Sequence, residues 1–593
     1  MRLGNGNDFS LPHPSALPFL TRRAQMQANK AGMDQERQNY FDEWRDISEF
    51  IQLRRGRYLQ GKAGSATSRS KPRARTNKVL NEAATLASRT CGAGMLAGVS
   101  SPAMPWLKLK AKIGGDDLSK YDWEVKAWLD IAEMYVYEVF SSSNYYHVKQ
   151  NGYRDMADFG QGPILIDEDF ENVINCYCSP PGEYYLAVDH KGVVDTMYRE
   201  MQFTTLQLMQ KCFNNGGVPR EVRWSYDKGN YNDIWNVTSV HEPNYRQIVG
   251  EVGLLGRPYI SMLYCDEVAD DGNNAIMGLS GIHENPISAP RWDLQPGDVY
   301  ATGPGSLALP TTKSLQILEK KKGQMVDKMA VPPTQGPDTG DKKKGIVNHM
   351  PGGHTTYPSQ SLGGANGRAI SPLYEVQGPQ LQAVHAEEQI LENRIDKMYF
   401  VDLFLATIES DRRQVTATEI AERHEEKLIA LGPVLERTHY EGLNIDVKRV
   451  FGILMRHNVL PPPPESMAEA RIEVEYTSTL AVAQKAVAAG PIERFAGFVG
   501  NLAGFFPDAA DKMNVDSLID EYADAIGVAG SVVNDNDKVE AARQQRAQQQ
   551  QNMEGMAMAR EGAETARLLS ETDTTRDDSN LLADILGNQG RIV

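Results

Sequence analysis

Between Arg291 and Thr418, two helix-patterned segments bracket about fifty residues crowded with proline, glycine and lysine. The first runs from Lys313 to Ala330 and sets Leu315, Leu318, Met325 and Met329 on one helical face. The second, Leu381 to Thr407, places Val384, Leu391, Ile395, Met398 and Leu405 on another. A helix, an insertion and a returning helix make a protruding hairpin, not a catalytic pocket. Such a hairpin can present a tip to a partner while its helices pack against copies of themselves.

A chain of 593 residues can bury several cores without disulfide or metal staples. Its five cysteines, Cys91, Cys176, Cys178, Cys212 and Cys265, form no CxxC pair, which fits free thiols in a reducing compartment. Strand alternation points Cys176 and Cys178 to one face, half of a metal site, but no second Cys or His cluster accompanies them, so no metal or other cofactor is expected. Met1 to Ser10 lacks the charged start and apolar core of a secretory leader. The most apolar window, Leu480 to Phe506, is interrupted by Lys485, Pro491, Glu493 and Arg494, so no membrane span is expected. The reading is a soluble protein assembled inside a cell.

Charge is uneven within a total of -16. From Arg45 to Lys78 the bases Arg45, Arg54, Arg55, Arg57, Lys62, Arg69, Lys71, Arg73, Arg75 and Lys78 face only Asp46 and Glu49. Its run from Gly61 to Ser70 is rich in Gly and Ser, and the stretch reads either as a nucleic-acid or partner contact or as a solvated basic loop. Beyond residue 500 the balance turns acidic through Asp508, Asp511, Asp516, Asp520, Glu521 and Asp524. Such a protein does not grip DNA over its whole surface, but it can line a path along which DNA slides.

Pattern changes divide the chain. Helices are expected over Met26 to Gln52 (Phe41, Trp44, Ile47 and Ile51 inward), Asn77 to Leu96 and Asp122 to Ser141 (Trp123, Ala127, Trp128, Ile131, Tyr135 and Val139 on one face). From Gly160 to Ile287 the period shifts toward strands, with hairpins at Tyr184 to Arg199 and Tyr259 to Ile282 and a short helix at Met201 to Phe213. Thr416-Ala-Thr-Glu419 has capping-box spacing and starts a helix toward His457, kinked at Gly432-Pro433 and ended by Pro461 to Pro464. Helix is expected again over Leu480 to Ala529 and over Lys538 to Leu569.

Catalytic motifs are missing. No GxxxxGK[ST] loop, HExxH, GxSxG elbow or EF-hand loop occurs. Gly303-Pro-Gly-Ser306 resembles a phosphate loop only in its two glycines. His424, among Glu422, Glu425 and Glu426, reads as a solvated helix face. No catalytic residues are assigned. A DNA-packaging enzyme or nuclease would need a phosphate loop or an acidic metal cluster, whereas an internal core protein or tail adaptor of a virion would need neither.

Several stretches in order resemble one family. They are Trp44 to Ile51 leading into Arg54-Arg-Gly-Arg57, Gly98 to Trp106, Arg291-Trp292, Tyr300-Ala-Thr-Gly-Pro-Gly305, the lysine-rich helix ending at Val331-Pro-Pro333, and Thr416-Ala-Thr-Glu-Ile420. Together they cover most of residues 30 to 460 and resemble the head-to-tail connector, or portal, proteins of short-tailed bacteriophages.

The resemblance implies an α+β, predominantly helical, portal-type subunit with an α/β wing, a two-helix stem, a small clip, a helical crown and a C-terminal barrel helix or disordered tail. The wing would be 1–290, the first stem segment 291–330, the clip 331–380, the second stem helix 381–408 and the tunnel loop 409–415. The kinked wing helix and return strand would be 416–479, the crown 480–535 and the barrel or tail 536–593. Portals are rings of about twelve copies at one capsid vertex. The implied partners are further copies of the chain, double-stranded DNA held without reading sequence, the terminase large subunit, a tail adaptor, and the major capsid and scaffolding proteins, in a virion assembled in the host cytoplasm.

Three residue sets follow from it. In the tunnel loop Glu409, Asp411, Arg412 and Arg413 would face DNA, although the segment also reads as a plain helix-helix turn. In the stem, Lys313, Lys320, Lys321, Lys322 and Lys328 span more than one helix face, so some line the channel or all pair outward. In the clip, Pro332, Pro333, Lys342, Lys343 and Lys344 would meet the motor and the adaptor.

Overall fold

The computed structural model describes residues 19–53, 55–59, 79–113, 116–117, 123–212, 217–268, 276–337, 347–357, 370–374, 378–405, 429–467, 470–478, 480–481 and 495–502, with short runs between 514 and 564. The chain divides into two units, Met1–Val487 and Ala488–Val593. In the second, residues 495–502 are helical. The first unit is α+β and predominantly helical.

Its N-terminal helix α1 (Phe19–Phe50) buries Trp44 and Ile47, with Ile51 just beyond its end, as the spacing predicts. Helix α2 (Ala83–Val99) carries small residues on its inner face, and these bring it close to α4 (Tyr145–Phe159). At Gly92 a Cβ would meet Arg154 at 2.9 Å, so a larger residue would push the two helices apart. Helix α3 (Trp123–Ser142) buries Val125, Trp128, Leu129, Ala132, Val136, Val139 and Phe140, so Trp128 and Val139 of the expected face are buried while Ile131 is exposed.

Helix α4 has no counterpart in the sequence reading, because its inner face is partly polar. Lys149, Asp155 and Asp158 are buried there, and each is partnered: Lys149 with Asp446, Asp155 with Arg55, Asp158 with Ser88 and Tyr399. Polar residues at core positions erase the apolar period that marks a helix in sequence.

Strands β1 (Leu107–Ile113), β2 (Asp116–Asp117) and β14 (Arg471–Tyr476) form one antiparallel sheet in the order β14-β1-β2. Strands β3 (Ile164–Asp169), β4 (Val173–Cys178) and β10 (Ile287–Ser288) form a second, and β4 turns Cys176 and Cys178 to one side. The largest sheet runs β5 (Tyr184–Val188), β6 (Val194–Thr204), β7 (Ile234–Pro243), β8 (Tyr259–Cys265) and β9 (Ile276–Ile282), antiparallel throughout. One face packs on Met26 and Met33 of α1 through Tyr198, Val240 and Met262. The other packs on α5 (Thr205–Cys212) and α6 (Arg220–Asp227) through Val237 and Met277. The helix expected from Met201 starts later, since β6 continues to Thr204 in register with β7.

The hairpin is present with altered limits. Helix α7 (Pro304–Ala330) begins ahead of Lys313, and the glycine pair once compared with a phosphate loop is its entrance. Gly303 is the extended N-cap and Pro304 stands at the first position, where its missing N–H costs nothing. Helix α8 (Gly378–Met398) ends before Thr407. Phe400 takes φ +55, and the helical residues 401–405 beyond it are rotated, so Leu403 and Phe404 are buried and Leu405 is exposed. Residues 429–438 are helical across Gly432-Pro433, as expected of a helix that continues through this pair. The departure from α geometry comes later, in a π-helical turn His439–Leu443 that leads into α9 (Asn444–Arg456).

Candidate functional site

The hairpin's base is locked by polar contacts from distant parts of the chain. Asp158 of α4 accepts from Ser88 Oγ of α2 and from Tyr399 Oη beyond α8, both at 2.7 Å. Burial pushes its carboxyl up to about 6, while these donors and Arg154 oppose the rise. Gln316 of α7 accepts from the Leu80 and Asn81 amides and returns a bond to Asn81 O, while Asn81 Nδ2 donates to Glu392 of α8 at 2.9 Å. Below α7, Arg291 donates to both oxygens of Glu441 in the π turn, 3.0 and 2.6 Å, with Arg291 wholly buried.

Further along, the two helices hold each other. Lys322 of α7 reaches Glu388 of α8 at 2.8 and 2.9 Å and Glu319 at 3.3 Å, and His385 Nδ1 lies 3.1 Å from Glu388. Burial opposes charge on Glu388, but hydrogen bonds with Glu319, Lys322 and His385 outweigh it and hold the carboxyl down at about 2.

The five lysines of α7 therefore separate. Lys313 pairs with Asp46 of α1 at 2.6 Å, Lys322 pairs as above, and Lys328 lies over the Tyr374 ring, 5.4 Å from its centroid. Lys320 and Lys321 are exposed. So are Ile317 and Val326, which helical spacing puts on opposite sides of α7.

At the tip, β11 (Thr334–Pro337) lies between β12 (His354–Tyr357), to which it is parallel, and the antiparallel β13 (Ser371–Pro372). Pro333 is buried and its carbonyl accepts from Leu373 N at 2.7 Å, while Pro332 is half-buried. Val331, Val347, Met350 and Ile370 are exposed around this small sheet. Lys342, Lys343 and Lys344 lie outside the described residues, and so does the whole segment holding Glu409, Asp411, Arg412 and Arg413. The sequence reading missed Asp158, Gln316, Glu388 and Glu441, whose partners lie far off in the chain. Gln316 and Glu388 lay inside the two helix-patterned segments, Glu441 in the helix expected toward His457 and Arg291 beside Trp292, whereas Asp158 stood in none of them.

A family model for the bacteriophage head to tail connecting protein matches residues 23–533. The chain belongs to this family. It is 34% identical over 564 residues to the portal protein of Salmonella phage epsilon15, covering 95% of this chain and 98% of that protein. It is 33% identical over 552 residues to the probable portal protein of Bordetella phage BPP-1, covering 93% and 95%. Among solved structures, the neck of an empty GTA particle computed with C6 symmetry aligns with 68% of this chain and 84% of its own at 11% identity, with a TM-score of 0.32. The function of this connector is that of a portal, a capsid-associated oligomeric ring serving as the channel for genome packaging and ejection. Among the described residues no helix is long and apolar enough to cross a membrane.

Proposed function

We propose that about twelve copies close into a ring at one capsid vertex with α7 and α8 as the stem around a DNA channel. The observation that carries this reading is the hairpin itself. It is anchored at its base by buried polar contacts, yet it carries exposed Ile317, Val326, Met329 and Ile390 along its length. Apolar side chains on more than one side of a helix pair suit a head-to-tail interface, in which each subunit meets a neighbour on either side.

The tip sheet and the lysines of the 331–380 segment dock the terminase large subunit during filling and a tail adaptor afterwards. Lys320 and Lys321, both exposed on α7, meet DNA phosphates without reading sequence. The 409–415 segment narrows the channel, where Arg412 and Arg413 hold packaged DNA against backsliding. The part before residue 290 meets the capsid and scaffolding proteins. The role is structural, carried out in a virion assembled in the host cytoplasm. The mass of the assembled particle tests the ring: about twelve chains supports it, and a monomer or hexamer contradicts it.

A further inference from the structure

The five-stranded sheet presents a polar end to α1 that the portal role does not use. On β6, Glu200 and Gln202 stand opposite Thr238 and Asn236 of β7. Asp266, just past β8, accepts from Thr238 Oγ1 at 2.7 Å. Lys30 of α1 lies over this row and bonds Glu200 Oε1 and Thr238. Lys30, Tyr58, Glu200, Met201, Gln202, Asn236 and Asp266 line a half-open cavity of about 290 Å³.

The hydrogen bonds inside it do not balance. Glu200 Oε1 takes Lys30 and the Tyr185 hydroxyl at 2.9 Å, and Gln202 Nε2 donates to Asn236 Oδ1 at 3.1 Å. Glu200 Oε2 and Gln202 Oε1 are buried and have no hydrogen-bond partner among the described residues. Acceptors shut away from donors are costly, and both leftovers here are acceptors. Charge leans the same way. Among the described lining residues Lys30 stands with the carboxylates of Glu200 and Asp266.

We infer that this cavity binds an organic cation bearing several N–H donors, an alkylammonium or guanidinium group. Such a group fills both orphaned acceptors, one of them a carboxylate oxygen, with charge-assisted hydrogen bonds that water does not supply. A metal ion suits the site less, since no group of three or more potential metal ligands forms among the described residues. Two sources share this chemistry: a free polyamine, or a basic side chain of a neighbouring copy in the ring.

Calorimetric titration of the full-length chain with agmatine and with spermidine tests the site in the unassembled subunit and in the ring, for the parent, Glu200→Gln and Gln202→Glu. One saturable site per subunit is expected. Glu200→Gln weakens it about tenfold, the scale of one hydrogen bond to a charged group, and Gln202→Glu tightens it. Saturable binding in both subunit and ring identifies a free cation. Binding in the subunit alone identifies a neighbour's side chain that fills the cavity on assembly. Absence of saturable binding to the subunit overturns the site and leaves the acceptors to water. Binding unchanged by both substitutions also overturns it, as condensation on an acidic surface. Should Glu200→Gln fail to fold, Gln202→Leu supplies the weakened arm.

Discussion

Lys322 on α7 donates to both carboxylate oxygens of Glu388 on α8, at 2.9 and 2.8 Å, and so spends its charge inside the hairpin. Lys320 and Lys321 beside it are exposed. Replacing Lys322 by Met removes the ammonium that bridges Glu319 and Glu388. The pair is partly exposed, so the loss lies above a surface ion pair and below a fully buried one, about 1–2 kcal/mol in a denaturant melt. Lys320→Gln with Lys321→Gln leaves the melt unchanged and alters DNA packaging or retention. If Lys322→Met alone changed DNA handling at unchanged stability, this division of labour would be wrong.

Arg291 and Glu441 pin the entrance of the hairpin to the π turn. Arg291→Met leaves Glu441 buried without its guanidinium and lowers stability by about 3–5 kcal/mol. Adding Glu441→Leu recovers much of that loss, because no uncompensated charge remains. Equal losses in the single and double variants would show that the pair acts through packing alone.

Gly160 caps α4 at φ +84, and a Cβ there would meet Ala301 O at 2.0 Å. Left-handed strain and a backbone clash act together at this position. Gly160→Ala is expected to cost about 3 kcal/mol or more and to lower the yield of folded subunit. Normal melting of this variant would mean that the end of α4 and the segment around Ala301 ahead of α7 have room to separate.

These contacts mark the limit of what the sequence discloses. The hairpin is legible because Leu315, Leu391 and Ile395 repeat at helical spacing and are buried. The strands of the large sheet are legible from alternation and turns. Helix α4 is not, because Lys149, Asp155 and Asp158 occupy core positions whose partners lie elsewhere in the chain. The start of α7 is hidden because Pro304, Gly305 and Pro310 read as loop until Pro304 is seen to occupy the first helical position. Leu405 falls on the expected stripe but is exposed, since the turn at Phe400 resets the helical phase. Among the site residues, the stem lysines were nameable from composition; which of them the subunit itself engages depends on Asp46, Tyr374 and Glu388, far from them in the chain.

His241 of β7 is buried, and burial lowers its pKa from 6.5 to about 4. Its folded value lies below the unfolded one, so the stability it contributes is complete above pH 6.5 and is lost as pH falls toward 4. The slope reaches at most about 1.4 kcal/mol per pH unit for one proton. Asp158, raised to about 6, and Glu133, raised to about 7, act in the opposite sense over part of this range. The test is therefore the difference between parent and His241→Gln: the parent loses more stability than the variant between pH 6.5 and 4.5. Parallel pH profiles would contradict a neutral buried imidazole.

A cryo-electron microscopy reconstruction of the assembled ring tests the account most directly. The account predicts about twelve subunits, with α7 and α8 around the central channel, Lys320 and Lys321 toward its lumen and the 409–415 segment at its narrowest point. A reconstruction that set the α7–α8 hairpin on the outer rim, away from the axis, would contradict it.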